Sequence, residues 1–322
     1  MHTMKKILLL FAAFSLATGA FSQHIPEKVD PPFWWTGMKN SQLQLMVYGD
    51  GIGLLNPVIR DDRVHLLRSV KVENPNYLFL YLDLEDTEAG SFEIRFLDDQ
   101  EQEVYTALYE LLHRKRSADQ VKGYDNSDVV YLITPDRFAN GNPGNDDLKE
   151  MLETSNRADK WGRHGGDIQG ISERLDYISN LGFTAIWLNP VLENNQPSSS
   201  YHGYSTTDFY RVDPRFGTNE EYRELSASAG EKGLKVIMDM IANHCGSGHW
   251  WMEDLPSQDW VNQPEDPFFT NHRRTTLRDP YASVYDTKHF VDGWFVSTMP
   301  DLNQRNPLLA DYLIQNAIWW IE

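Results

Sequence analysis

The chain has 322 residues, 41% of them hydrophobic and 24% charged, which is the composition of a soluble globular protein with room for more than one domain. Acidic residues outnumber basic ones 47 to 29, and a net charge of −18 argues against nucleic acid and anionic membranes as partners while leaving a neutral substrate compatible. Cys245 is the only cysteine, so no disulfide forms within the chain.

Residues 1–22 read as an export signal. Lys5 and Lys6 precede an apolar stretch from Ile7 to Ala20, and Ala20-Phe21-Ser22 offers a small-residue cleavage site before Gln23. The stretch is short for a bilayer span, no second apolar segment follows, and no cysteine marks a lipid anchor. An uncleaved anchor is the alternative. The expectation is an exported protein, periplasmic or secreted, with no membrane contact after cleavage.

Residues 23–113 carry a β pattern. Leu43, Leu45 and Val47 alternate with other positions, as do Phe92, Ile94 and Phe96, while Tyr77 to Leu84 is a nearly continuous apolar run expected of a strand buried on both faces. Gly49-Asp50-Gly51, Asn74-Pro75-Asn76 and Glu88-Ala89-Gly90 supply turns between these runs. The spacing predicts a small Ig-like β-sandwich. Residues 114–127 are polar and read as a linker.

From residue 128 the period changes. Strands are predicted over Val129–Ile133, Phe183–Leu188 and Leu234–Ile241. Between them, Ile171, Leu175, Ile178 and Leu181 share one helical face, Thr218 and Glu221 form a capping box, and Asn306-Pro307 opens a third helix. Helix-to-strand connections are short, at Gly182 and Gly233. Strand-to-helix connections are long: 134–170, 189–217 and 243–306. That asymmetry is the build of a (β/α)8 barrel, with function on the loops after each strand. A doubly wound sheet is the competing fold, but no Gly-rich fingerprint follows the first strand.

Three loops hold candidate chemistry. Asn140 to Asp147 is dense in potential oxygen ligands, with Gly165-Gly166-Asp167 further along the same loop; the composition suits calcium and equally suits an ordinary Asn/Gly/Asp turn. Tyr201-His202-Gly203-Tyr204 offers rings that can stack on a pyranose and a His that can bond a hydroxyl. Asp239-Met240-Ile241-Ala242-Asn243-His244 ends the third strand, and a carboxylate there requires a partner or a role.

Taken together these segments resemble glycoside hydrolase family 13, the α-amylase family. Asp239 to His244 is similar to its first signature, Gly182 to Pro190 to its second strand, and Met299-Pro300-Asp301-Leu302-Asn303 to the signature that closes its inserted domain B, here about residues 243–305. The nearest likeness is to the neopullulanase and cyclomaltodextrinase branch, whose members carry an N-terminal β-sandwich. The resemblance implies calcium held by Asn140, Asn142, Asn145, Asp146, Gly165 and Asp167. It implies substrate binding by His202, Tyr204 and His244, and support of the catalytic centre by Asp239 and Asn243. The implied activity is retaining hydrolysis of α-1,4 bonds in cyclodextrins, pullulan, starch or maltooligosaccharides, in a protein able to form a homodimer through its sandwich.

The same resemblance places the nucleophile and the acid/base beyond Glu322. Residues 128–322 are therefore expected to be three strand–helix units of an incomplete barrel, inactive alone, with no catalytic carboxylate assigned. Two readings stay open: the front part of a working hydrolase, or a non-catalytic product whose sandwich binds α-glucan or a partner chain.

Overall fold

The computed structural model describes residues 25–117, 120–121, 123–270 and 280–322. The export signal expected at 1–22 lies outside the described residues.

Eight strands build the N-terminal part: β1 (Lys28–Asp30), β2 (Trp34–Thr36), β3 (Gln42–Tyr48), β4 (Asn56–Ile59), β5 (His65–Lys71), β6 (Tyr77–Asp83), β7 (Gly90–Leu97) and β8 (Glu103–His113). They form two four-stranded sheets, ordered β1-β3-β6-β5 and β2-β8-β7-β4. All pairs are antiparallel except β2 with β8. Leu43, Leu45 and Val47 from one sheet and Phe92, Ile94 and Phe96 from the other enter a shared core, as their alternation predicts.

The simple alternation fails on β3. Gln44 and Met46, on the outer face, are as buried as their neighbours, at 2% and 1% exposure. The cause is a long helix, α6 (Pro307–Ile321), which lies against that sheet. The same cover, with the segment around residues 250–260, explains why β6 is buried on both faces. Leu78, Leu80 and Leu82 belong to the sandwich core, whereas Tyr77 stacks on Trp250 and Phe79 meets Trp260. Asp254 clasps this seam, accepting from the Tyr48 hydroxyl at 3.1 Å and from the Asn74 and Asn76 amides at 2.5 and 2.8 Å.

The second part centres on three parallel strands in the order β9 (Val130–Ile133), β10 (Ala185–Leu188) and β13 (Lys235–Met238). Ala185 is in register with Val130 on one side and Lys235 on the other. A short helix α1 (Pro135–Phe138) follows β9. The predicted helix after it is broken into α2 (Ile168–Ser172) and α3 (Leu175–Asn180). Ile171, Leu175 and Ile178 are buried as expected, but Leu181 caps α3 and is exposed, because the helix ends before bringing it round to the sheet. The capping box opens α4 (Asn219–Glu231): Thr218 Oγ1 accepts from the Glu221 N–H, and Glu221 returns the bond to the Thr218 N–H. Asn306 caps α6 through the Leu308 and Leu309 N–H groups.

Sequence periodicity did not signal two further pieces. An antiparallel pair, β11 (Leu192–Glu193) with β12 (Asp208–Val212), crosses the loop after β10. Helix α5 (Val284–Val291) sits in the long excursion after β13, which closes on itself through His244–Asp301, Val261–Leu302 and Phe269–Trp294 bridges. Among the described residues no helix is long and apolar enough to cross a membrane.

Candidate functional site

The site gathers where β10 and β13 end. Asp239, one residue past β13, is half-buried rather than fully enclosed. Its Oδ2 accepts from the Tyr204 hydroxyl at 3.0 Å and from Trp187 Nε1, on β10, at 3.3 Å. Burial, with Asp239 beside it, pushes the Tyr204 hydroxyl up to about 12, so Tyr204 remains a neutral donor. Asn189 adds a third contact, donating to the Tyr204 oxygen at 3.3 Å.

Tyr204 is aimed by its own loop. Gly203 takes φ +78°, and a Cβ there would fall 2.0 Å from the Pro190 carbonyl oxygen, so only glycine lets the loop press against the end of β10. His202 Nδ1 accepts from the Tyr204 N–H at 2.9 Å. Burial, reinforced by His244 and opposed by Glu153, lowers the His202 pKa. The imidazole is then neutral with its proton on Nε2, which has no protein partner among the described residues. Tyr201, by contrast, lies under the Arg137 guanidinium at 4.0 Å, which covers one face of its ring.

His244 departs from the expectation of a hydroxyl ligand. Its Nε2 lies 2.9 Å from the Tyr204 carbonyl and its Nδ1 3.1 Å from the Asn243 amide, so both ring nitrogens are engaged inside the protein. Burial lowers its pKa, and the neutral tautomer donates to the Tyr204 carbonyl. Its place is to hold the Tyr204 backbone. Asn243 also donates to Asp301, at 3.3 Å. The Asp301 carboxyl is buried and receives Asn262 at 2.8 Å. Desolvation, with Asp292 adding to it, pushes Asp301 up to about 6 against the pull of Asn262, Arg305 and Asn243.

The loop after β9 divides the six expected calcium ligands. Asn140 donates to both Asp146 oxygens, at 2.8 and 3.0 Å, and its own Oδ1 is buried without a partner. Asn145 Oδ1 is likewise buried and unpartnered. Gly165, at φ +82°, closes the cradle: a Cβ there would stand 2.5 Å from Asp146 Oδ1. Burial raises the Asp146 pKa, with the Asn140 bond opposing. Two orphaned amide oxygens beside a desolvated carboxylate fit a hard cation. Asn142 and Asp167 do not join them. Asn142 Oδ1 accepts from Gly144 N at 3.1 Å, and the Asp167 carboxylate takes the N–H groups of Gly141, Asn142 and Gly170 as the cap of α2. Among the described residues no three His, Cys, Asp or Glu side chains are placed to hold a metal ion, so a cation here depends on amide and backbone oxygens beside the Asp146 carboxylate.

Sequence reasoning missed a buried ion network that ties this loop to the next. Arg215 forms two bonds to Asp213, at 2.7 and 2.9 Å, and reaches the carbonyls of Glu153 and Asn194. Arg163 lies 3.8 Å from Asp213 and 3.9 Å from Asp136. Burial alone would raise the Asp213 carboxyl, but Arg163 and Arg215 outweigh it and hold it below the ordinary range. The only sequence signal is the Asp213-Pro214-Arg215 triplet, which has no period to read.

The family model described as the α-amylase catalytic domain matches residues 132–322, and the cyclomaltodextrinase N-terminal model matches residues 28–115. The chain is 36% identical over 203 residues to the cyclomaltodextrinase of Thermoanaerobacter pseudethanolicus and 33% identical over 196 residues to neopullulanase 2 of Thermoactinomyces vulgaris. Each alignment covers 60% of this chain and 32% of the relative, so the chain spans about a third of the length of these proteins. A solved cyclomaltodextrin glucanotransferase with a three-domain ABC distribution superposes with a TM-score of 0.50 at 28% identity, over 60% of this chain and 42% of that one. One matched model takes in the sandwich and the other the parallel sheet with its loops, and on these the chain belongs to the α-amylase family, with a cyclomaltodextrinase-type N-terminal domain ahead of an α-amylase-type catalytic domain.

Proposed function

We propose that the protein is an α-glucan hydrolase acting on α-1,4 bonds of cyclodextrins, pullulan, starch or maltooligosaccharides with retention, and that these residues hold the sugar. The observation that carries the reading is the Tyr204 ring, fixed by its hydroxyl on Asp239 and by its backbone on His202 and His244. A pyranose stacks its C–H face on that ring, and His202 Nε2–H donates to a sugar hydroxyl. Trp187 and Tyr204 keep Asp239 oriented. Matched relatives are named for cyclomaltodextrin and pullulan, which supports the substrate class. Retention requires a nucleophile and an acid about 5–5.5 Å apart, and neither role is assigned within residues 1–322. The protein is proposed to be exported through residues 1–22.

Calcium belongs to the same proposal. Asn140, Asn145 and Asp146, with the backbone at Gly165, would hold it, and the bound ion would cross-link two parts of the loop after β9.

The test is maltotriose binding by this chain, measured by calorimetry. Tyr204→Ala is expected to weaken it by roughly tenfold, the scale of one lost ring contact and its hydrogen bond. No binding by the unaltered chain, or equal binding by the variant, would sink the reading.

A further inference from the structure

Asn140-Gly141 is the only Asn-Gly pair in the chain. Such a pair is chemically labile: with no side chain to crowd it, the glycine nitrogen can close on the asparagine carboxamide. The loop after β9 cannot shed the glycine. A Cβ at Gly141 would stand 2.5 Å from the Gly170 nitrogen and 2.8 Å from the Gln169 carbonyl carbon.

The three atoms that must react are all restrained here. The nucleophile is the Gly141 nitrogen, whose N–H is donated to both oxygens of Asp167, at 3.0 and 3.2 Å. Asp167 is fully buried and is fixed by the Asn142 and Gly170 N–H groups as well. Removing the Gly141 proton would set a negative nitrogen against a carboxylate, which disfavours the step. The leaving group is Asn140 Nδ2, tied to both Asp146 oxygens at 2.8 and 3.0 Å. The oxygen on which charge develops during attack is Asn140 Oδ1, which is buried and meets no donor among the described residues. Solvent is close by. Asn142, Pro143 and Gly144 are exposed, so a short local opening frees all three atoms.

We infer that Asn140 is a site of spontaneous deamidation that the folded loop holds back, with Asp167 restraining the nucleophile and Asp146 the carboxamide. On opening, the Gly141 nitrogen loses its proton to solvent and bonds to Asn140 Cγ. The Cγ–Nδ2 bond breaks, and the nitrogen takes up a proton and leaves as ammonia. A five-membered succinimide remains. Water opens it at either carbonyl, giving aspartate or isoaspartate at position 140. The product sets a second carboxylate against Asp146 in place of two hydrogen bonds, so the loop no longer recloses as before. This chemistry is independent of what the Tyr204 site binds.

The experiment ages the 322-residue chain at mildly alkaline pH with a chelator present, folded and in urea, and follows Asn140 by peptide mass and isoaspartate labelling. Asn140 is expected to react in urea ahead of every other asparagine, and roughly tenfold or more slowly in the folded chain. Asp167→Ser keeps a cap for α2 but is too short to reach Gly141, and should speed the folded chain roughly tenfold. Asp146→Ala should speed it as well. Melting temperatures show whether each variant is folded at the assay temperature. Equal rates in urea and in the folded chain would remove the restraint, and another asparagine reacting first in urea would remove the site. A folded Asp167→Ser that reacts no faster than the unaltered chain would overturn the role of Asp167. If that variant does not fold, hydrogen exchange of the Gly141 amide in the unaltered chain decides: strong protection upholds the restraint, and exchange as fast as in urea overturns it.

Discussion

The side-chain amide of Gln315 takes both backbone hydrogen bonds of Gln44: its Oε1 accepts from the Gln44 N–H and its Nε2 donates to the Gln44 carbonyl, each at 2.7 Å. Strand β1 pairs with β3 only as far as Asp30 opposite Met46, so Gln44 lies beyond the end of its neighbour. The carboxamide of a helix thus completes the ladder where the strand stops. Gln315→Ala leaves a buried N–H and a buried carbonyl unpaired, and is expected to cost about 1–3 kcal/mol. Urea denaturation reads this directly, and an unchanged midpoint would show that the amide is dispensable.

Asp30 sits in the same seam and gives it a pH dependence. The carboxyl is 2% exposed and bonds to the Tyr312 hydroxyl of α6 at 3.0 Å. Desolvation, with Asp208 of β12 adding to it, pushes it up to about 7 against Lys28 of its own strand and the Tyr312 bond. The folded state therefore binds the proton more tightly than the unfolded chain does. Its stabilising contribution is complete below the ordinary carboxylate range and is lost as pH rises toward about 7. Asp30→Asn should flatten the fall in melting temperature over that window. An identical pH profile in wild type and variant would remove Asp30 from the account.

Arg215→Met is expected to cost about 3–5 kcal/mol, because it leaves the Asp213 carboxylate buried with only the more distant Arg163 for compensation. Its pH dependence runs opposite to that of Asp30. Asp213 is held below its usual range, so its contribution is present at neutral pH and disappears as pH falls through the folded value. Pairing the substitution with Asp213→Asn should recover part of the loss, and no recovery would mean that the ion pair is not the source.

Calcium should raise the melting temperature of the unaltered chain, and a chelator should reverse the rise. Asp146→Asn should blunt the response, while Asn142→Ala, at an amide already used by Gly144, should leave most of it. A response absent from the unaltered chain would end the calcium proposal. An equal response in Asp146→Asn would move the site elsewhere.

The sequence shows the sandwich and the parallel strands because burial repeats there with periods of two and 3.6. Phe92, Ile94 and Phe96 are legible for that reason, and so is the capping box at Thr218 and Glu221. Gln44 and Met46 were not, since what buries them is a helix far along the chain. The site was legible as a set of residue types but not as a set of bonds. Nothing in the pattern Asn243-His244 says that the ring turns back to a carbonyl 40 residues earlier. The Asp213–Arg215 pair has no repeat at all, so only packing exposes it.

The cover on the outer face of β6 also sets a timetable for synthesis. The strand is finished at Asp83, whereas the helix that shields it begins at Pro307. At ribosomal speeds that gap lasts roughly 10–45 s. Tyr77 and Phe79 wait for Trp250 and Trp260, and Gln44 and Tyr81 wait for α6 itself, so the outer face of the sheet is uncovered for most of that interval. The nascent sandwich is therefore adhesive until its last neighbour arrives, and holding chaperones have that interval in which to act.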